Sequence, residues 1–225
     1  MTTITESRAP TPQASDTSYR QRLLPQFAAI YLLLSGIASL TYQVTWVRLL
    51  GLSIGATAAA IGTVLAAFFF GMAAGSYLAE RITRNRIHDL RAYIVLEALI
   101  GLSGLLLLPA LLHLDLIMAW LPAGGGSLGV KFMLAMILLC IPTACMGATF
   151  PVMASILIRR EGDMGRRLSR LYSLNTAGAV LGAGLSGFVF IPLWGLDGAI
   201  FIAVALNLAI ALSAVYFNRR LHLPP

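Results

Sequence analysis

The chain has 225 residues, 58% of them hydrophobic and only 11% charged, with a mean hydropathy of +0.83. Soluble domains carry about 25% charged residues, so a water-soluble fold of this length lacks the polar surface to cover its apolar one, and lipid is the matching solvent. The net charge of +7 sits in short clusters between apolar stretches, the signature of membrane topology rather than of a nucleic-acid-binding face, and no nucleic-acid partner is expected.

Residues 1–24 are polar, rich in Thr, Ser and Pro, and contain no apolar run. They read as a disordered cytoplasmic tail and not as a cleavable signal, which makes the first apolar stretch an uncleaved anchor. A membrane-spanning helix needs about 20 mostly apolar residues. Six segments meet that length: 26–50, 54–79, 91–112, 129–158, 169–193 and 196–217. Turn chemistry separates them at Gly51-Leu52-Ser53, at Gly124-Gly125-Gly126-Ser127 and at Gly195-Leu196-Asp197-Gly198. Between the third and fourth, His113 to Trp120 has the composition of a short helix lying in the outer interface. The expected architecture is an all-α integral membrane protein. It has a six-helix domain over 25–217 and a short basic cytoplasmic tail over 218–225.

Orientation follows from Arg and Lys. With the N-terminus inside, 14 of the 16 basic residues fall on the cytoplasmic side. They group as Arg8, Arg20 and Arg22; Arg81, Arg84, Arg86 and Arg91; Arg159, Arg160, Arg166, Arg167 and Arg170; and Arg219 and Arg220. Only Arg48 and Lys131 oppose this arrangement, so the positive-inside rule places both termini of a multi-pass membrane protein in the cytoplasm.

A few polar residues interrupt the apolar spans. Glu97 is the one acid deep within a span, where an ionisable group is costly and a functional candidate. Gln43, Arg48 or a Tyr hydroxyl is its expected partner. Tyr42, Gln43, Thr45, Trp46 and Arg48 form a polar and aromatic cluster in the first span. Arg48 reads either as a side chain snorkelling to the interface or as part of an inward site with Tyr42 and Gln43. In the fourth span Pro142 and Pro151 flank Gly147 and Thr149. Each proline removes a helix hydrogen bond and predicts a kink, structural or substrate-binding. Asn175, early in the fifth span, is placed to cap or bridge to that kink. These residues make up the candidate intramembrane site: Glu97, Tyr42, Gln43, Arg48, Thr149 and Asn175.

Gly71 with Gly75, and Gly178 with Gly182, put small residues four apart, the spacing that lets helix backbones approach. They predict packing within the bundle, with a subunit interface or a substrate-lining face as alternatives. Cys140 and Cys145 lie about 140° apart around a helix, which suits neither a disulfide nor a metal pair. His88, His113 and His222 lie near or beyond helix ends and cannot ligate a haem together. The Gly124–Gly126 run follows no strand, so it is no nucleotide loop. No catalytic residues, metal or cofactor are expected.

Three segments together resemble a known family. They are Ser35-Gly36-Ile37-Ala38-Ser39-Leu40-Thr41-Tyr42-Gln43-Val44-Thr45-Trp46-Val47-Arg48, Met146-Gly147-Ala148-Thr149-Phe150-Pro151, and Leu171-Tyr172-Ser173-Leu174-Asn175-Thr176-Ala177-Gly178. Over residues 25–217 the chain resembles the membrane domain of the membrane-fused spermidine synthase-like proteins of bacteria, which carry Glu where this chain has Gln43. Members of that family continue into a soluble aminopropyltransferase-like domain with a Gly-rich loop, and nothing here resembles that domain. The expectation is therefore that the chain is not an enzyme. A weaker resemblance, through Gly75 to Arg86, is to a six-helix half of major facilitator transporters, and it implies two inverted three-helix repeats. Two functional readings follow. One is a module that transports or binds a small, cationic metabolite, working as a homodimer in lipid. The other is an accessory subunit packed against a larger membrane complex, or an anchor for a separately encoded enzyme.

Overall fold

The computed structural model describes residues 12–55, 57–83, 90–119, 128–157 and 164–220. Among these no strand occurs, and the elements are α1 (Pro12–Ile54), α2 (Thr57–Thr83), α3 (Leu90–Leu112), α4 (Leu114–Ala119), α5 (Leu128–Leu157), α6 (Met164–Leu185), a π-helical turn (Ser186–Phe190) and α7 (Ile191–Arg220). The expected tail, 1–24, falls outside the described residues up to residue 11. From Pro12 it continues α1 upstream. Residues 221–225 of the C-terminal tail also lie outside them, as do the glycine run 124–126 and Trp120. The short helix expected after His113 is present as α4.

Among the described residues, five helical stretches are long and apolar enough to cross a membrane: Leu24–Ile54, Ala58–Arg81, Leu90–Leu112, Leu128–Leu157 and Gly165–Arg219. Where six separate spans are expected, the last two run together as one stretch of 55 residues. Its helical character passes through the π-helical turn and is broken only at Gly195, whose φ of 71° and ψ of −175° lie outside the helical region. A positive φ costs a glycine nothing because it has no Cβ to strike the carbonyl. The parts before and after Gly195 meet α1 in opposite order. Gly178 lies on Leu33 and Gly182 on Ile37, a parallel register. After Gly195 the order reverses. Tyr42 and Trp46 share a core cluster with Ile200 and Val204, whereas Ala28 and Leu32 share one with Ile210 and Ala214.

The helices pair closely where glycines remove the side chain between backbones. On α2 and α5, Gly75 faces the backbone of Ala144 while Gly147 faces that of Met72. On α6 and α1, Gly178 faces the backbone of Leu33 while Gly36 faces that of Asn175. Both pairs show one exchange, in which two residues three apart on one helix clasp two residues three apart on the other. Gly71 stands against Thr143 in the same seam. A Cβ at any of these glycines would overlap its neighbour, and van der Waals packing of this kind is the main attraction between helices in lipid. Gly178 and Gly182 are thus used within the chain, against α1.

The helix that carries Pro142 and Pro151 runs unbroken, with α5 continuous from Leu128 to Leu157 and Gly147 and both prolines inside it. The reason is visible at Pro151. Its missing N–H leaves the carbonyl of Gly147, four residues back, without its helix partner. The Ser76 hydroxyl on α2 donates to that carbonyl at 2.8 Å, so the gap in the helix ladder becomes a bond between helices. Thr143 also turns inward, donating to Leu139 of its own helix at 2.7 Å and lying 3.2 Å from the Ala67 carbonyl of α2.

Candidate functional site

α3 carries Glu97 to the centre of the bundle, where the residue is 0% exposed. Its partner is Asn207 of α7, whose Nδ2 donates to Glu97 Oε2 at 2.6 Å. Neither Gln43 nor Arg48 provides the partner. Arg48 points outward and is exposed, which fits the snorkelling alternative, and Gln43 is half-buried. Thr149 spends its hydroxyl on its own helix, donating to Met146 at 2.7 Å. Asn175 meets Gly36 of α1 through its backbone and does not bridge to the prolines of α5. Of the six expected site residues, the structure therefore brings together Glu97 and Tyr42.

Other residues complete the cluster. Tyr93 sits one turn before Glu97, on the same helical face, and it and Ser35 of α1 lie beside the carboxyl. Tyr42 lies within electrostatic reach of Glu97 and its ring edge lies close against Gly104 of α3, where a Cβ would meet the Tyr42 hydroxyl at 2.7 Å. The aromatic rings continue in both directions: Tyr42 stacks on Trp46 with centroids 5.2 Å apart, and Tyr31 on Tyr93 at 6.2 Å. Asn207 was legible as an amide in an otherwise apolar last span, and Tyr93 as a neighbour four residues from Glu97. Only the fold could place the two around one carboxyl.

The site is short of hydrogen bonds. Buried polar atoms almost always find partners. Here Glu97 Oε1, Asn207 Oδ1, the Tyr42 hydroxyl and Trp46 Nε1 are buried with no partner at good hydrogen-bond geometry. The Tyr93 hydroxyl and Ser35 stand within reach of the carboxyl, and Tyr31 within reach of Ser213, without a well-formed bond. Each orphaned group costs about 1–3 kcal/mol. No basic side chain among the described residues pairs with the carboxyl. The unused capacity includes two pure acceptors, Glu97 Oε1 and Asn207 Oδ1, beside tyrosine hydroxyls that both donate and accept. An ammonium has three donors and no acceptor and is attracted to aromatic faces, so it complements this lining. No group of three or more His, Cys, Asp or Glu suited to a metal ion occurs among the described residues.

The chain is similar to Polyamine aminopropyltransferase 2 of Streptomyces coelicolor, with 28% identity over 213 residues. The alignment covers 87% of this chain but 37% of that enzyme, so the chain spans little more than a third of the relative's length. No known family's model and no solved structure matches it. This similarity corrects the expectation that the chain is not an enzyme. The relative bears the name of an aminopropyltransferase, and an absent Gly-rich loop is no ground for setting the chain apart from enzymes.

Proposed function

We propose that the chain is the membrane module of an aminopropyltransferase-type protein, and that it holds a polyamine or similar aliphatic amine at Glu97. The observation that carries this reading is a fully enclosed carboxyl whose Oε1 lacks a well-formed hydrogen bond, set among tyrosine hydroxyls and aromatic faces. The polar row runs along α1 from Tyr31 to Trp46, about 22 Å at 1.5 Å per residue. That shape suits an extended chain of amines better than a single small ion. The relative's name supports a polyamine as the amine in question. Because Glu97 is enclosed, α3 and α7 must part for a ligand to reach it.

In this reading the chain crosses the bacterial inner membrane six times with both termini inside. The opposed registers of the segments before and after Gly195 against α1 support two crossings there. The same reading holds that the spans form two inverted three-helix repeats. α1 clasps α6 as α5 clasps α2, with Leu33 and Gly36 standing to Asn175 and Gly178 as Ala144 and Gly147 stand to Met72 and Gly75. The resemblance to spermidine synthase-like membrane domains fits the same picture. A second reading, an anchor for an aminopropyltransferase part, is favoured by the chain's covering just over a third of the relative.

The test is equilibrium binding of radiolabelled spermidine to the protein in lipid nanodiscs. Glu97→Gln keeps an oxygen acceptor for Asn207 and removes the carboxylate, and it is expected to weaken binding at least tenfold, the loss of one charge-assisted contact. Arg48→Gln is expected to leave binding unchanged. Wild-type protein that binds no polyamine, or Glu97→Gln that binds as the wild type does, would overturn the amine site and leave the anchor reading.

A further inference from the structure

Away from Glu97, a cavity lies where three apolar stretches end at one level. It has a volume of about 280 Å³ and is lined by Pro25, Gln26, Ala29, Leu157, Arg167, Arg170 and Leu171. Pro25 and Gln26 stand at the start of the first stretch, Leu24–Ile54; Leu157 closes the stretch Leu128–Leu157; Arg167 and Arg170 open Gly165–Arg219. The cavity therefore sits at the boundary between hydrocarbon and headgroups, whichever way the protein faces. Its lining divides in two. Ala29, Leu157 and Leu171 are apolar, while Gln26, Arg167 and Arg170 supply an amide and two guanidinium groups. Among the described residues no carboxylate bonds to either arginine, and both are exposed at the mouth.

We propose that this cavity binds the phosphate of an anionic phospholipid. Arg167 and Arg170 are one turn apart on α6, so both guanidinium forks can address one phosphate, the geometry in which arginine binds best. The amide of Gln26 adds a donor from α1. Basic pockets between membrane helices at the headgroup level are the usual seats of anionic lipids. A cavity of this volume takes a headgroup rather than a whole lipid, which leaves the acyl chains to run down the apolar side past Ala29 and Leu171. A free phosphate would use the same arginines but would gain nothing from that apolar half. The lipid would tie α1, α5 and α6 together from outside the seam that joins α1 to α6.

The experiment is native mass spectrometry of the full chain released from nanodiscs of phosphatidylcholine doped with phosphatidylglycerol, read as retained lipid per protein. The expected result is selective retention of phosphatidylglycerol, lowered about tenfold in Arg167→Gln/Arg170→Gln. The control Arg166→Gln/Arg219→Gln removes the same charge from positions outside the cavity and is expected to keep the selectivity. Equal retention of the two lipids by the wild type would overturn the proposal. So would a control that loses as much as the cavity variant. Inorganic phosphate at millimolar concentration is expected not to displace the lipid. If it stabilises the wild type but not the cavity variant against heat, with no lipid preference, the site belongs to a soluble phosphate and the lipid assignment fails.

Discussion

The sharpest prediction concerns the bond from Ser76 to the carbonyl that Pro151 leaves free. Ser76→Ala removes the hydroxyl that donates to Gly147 at 2.8 Å and places nothing in its stead. The carbonyl lies in a glycine seam too tight to admit water, since the backbones of Gly75 and Ala144 touch there. An unpaired buried acceptor costs about 1–3 kcal/mol, while measured hydrogen bonds between membrane helices average about 0.6 and reach about 1.7. A loss of about 1–1.5 kcal/mol is expected for the single change. In a Pro151→Ala background the new N–H can bond the same carbonyl along the helix, and Ser76→Ala should then cost less than about 0.5 kcal/mol. The coupling between the two positions is thus about 1 kcal/mol, roughly a fivefold change in the folding constant. Reversible unfolding of the four proteins of the cycle in mixed detergent micelles measures it. An equal cost for Ser76→Ala in both backgrounds would refute the view that the serine repairs the proline's gap.

Other outcomes follow from the same contacts. Gly178→Ala should force α6 away from Leu33 and destabilise the bundle by about 1–3 kcal/mol, the usual range for overpacking, whereas Gly184→Ala, where a Cβ meets nothing, should be close to neutral; thermal unfolding in detergent separates them. Asn207→Leu alone should destabilise by about 1–3 kcal/mol because it leaves the carboxyl bare, and Glu97→Leu with Asn207→Leu should recover most of the loss, as read by the same unfolding assay. Arg48→Cys, in a background with Cys140 and Cys145 changed to Ala, should react with a membrane-impermeant maleimide applied to the periplasmic side of intact spheroplasts. Protection there would contradict both its exposure and the orientation. Gly195→Ala should cost about 1 kcal/mol or more, the penalty for a Cβ at positive φ, again by reversible unfolding.

Much of the architecture was legible because the membrane writes it in composition. A stretch of apolar residues declares a span with no knowledge of its neighbours, since each helix satisfies its own backbone. The glycine spacings at 71 and 75 and at 178 and 182 were legible for a similar reason: a missing side chain has little purpose except close approach. The proline pair announces a gap in the helix ladder but not what fills it, because the Ser76 hydroxyl comes from far away in sequence and from another helix. The turn expected at Gly195 to Gly198 falls where the helical stretch is interrupted, at Gly195. A turn-like run of Gly195 to Gly198 does not reveal that only the first glycine leaves the helical region.

Composition alone pointed to lipid as the matching solvent, to the length and approximate place of the helices, and to the cost of Glu97 wherever it stood. Those properties depend on residues close together in the chain, or on one residue against its medium. What surrounds that carboxyl was set by the packing of distant helices. It turned Arg48 outward, confined Thr149 to its own helix, and brought Asn207 across 110 residues to bond it. Helix rotation and pairing depend on how whole faces fit. In lipid, where apolar side chains gain nothing by leaving one another's company, hydrophobicity cannot reveal which face turns inward.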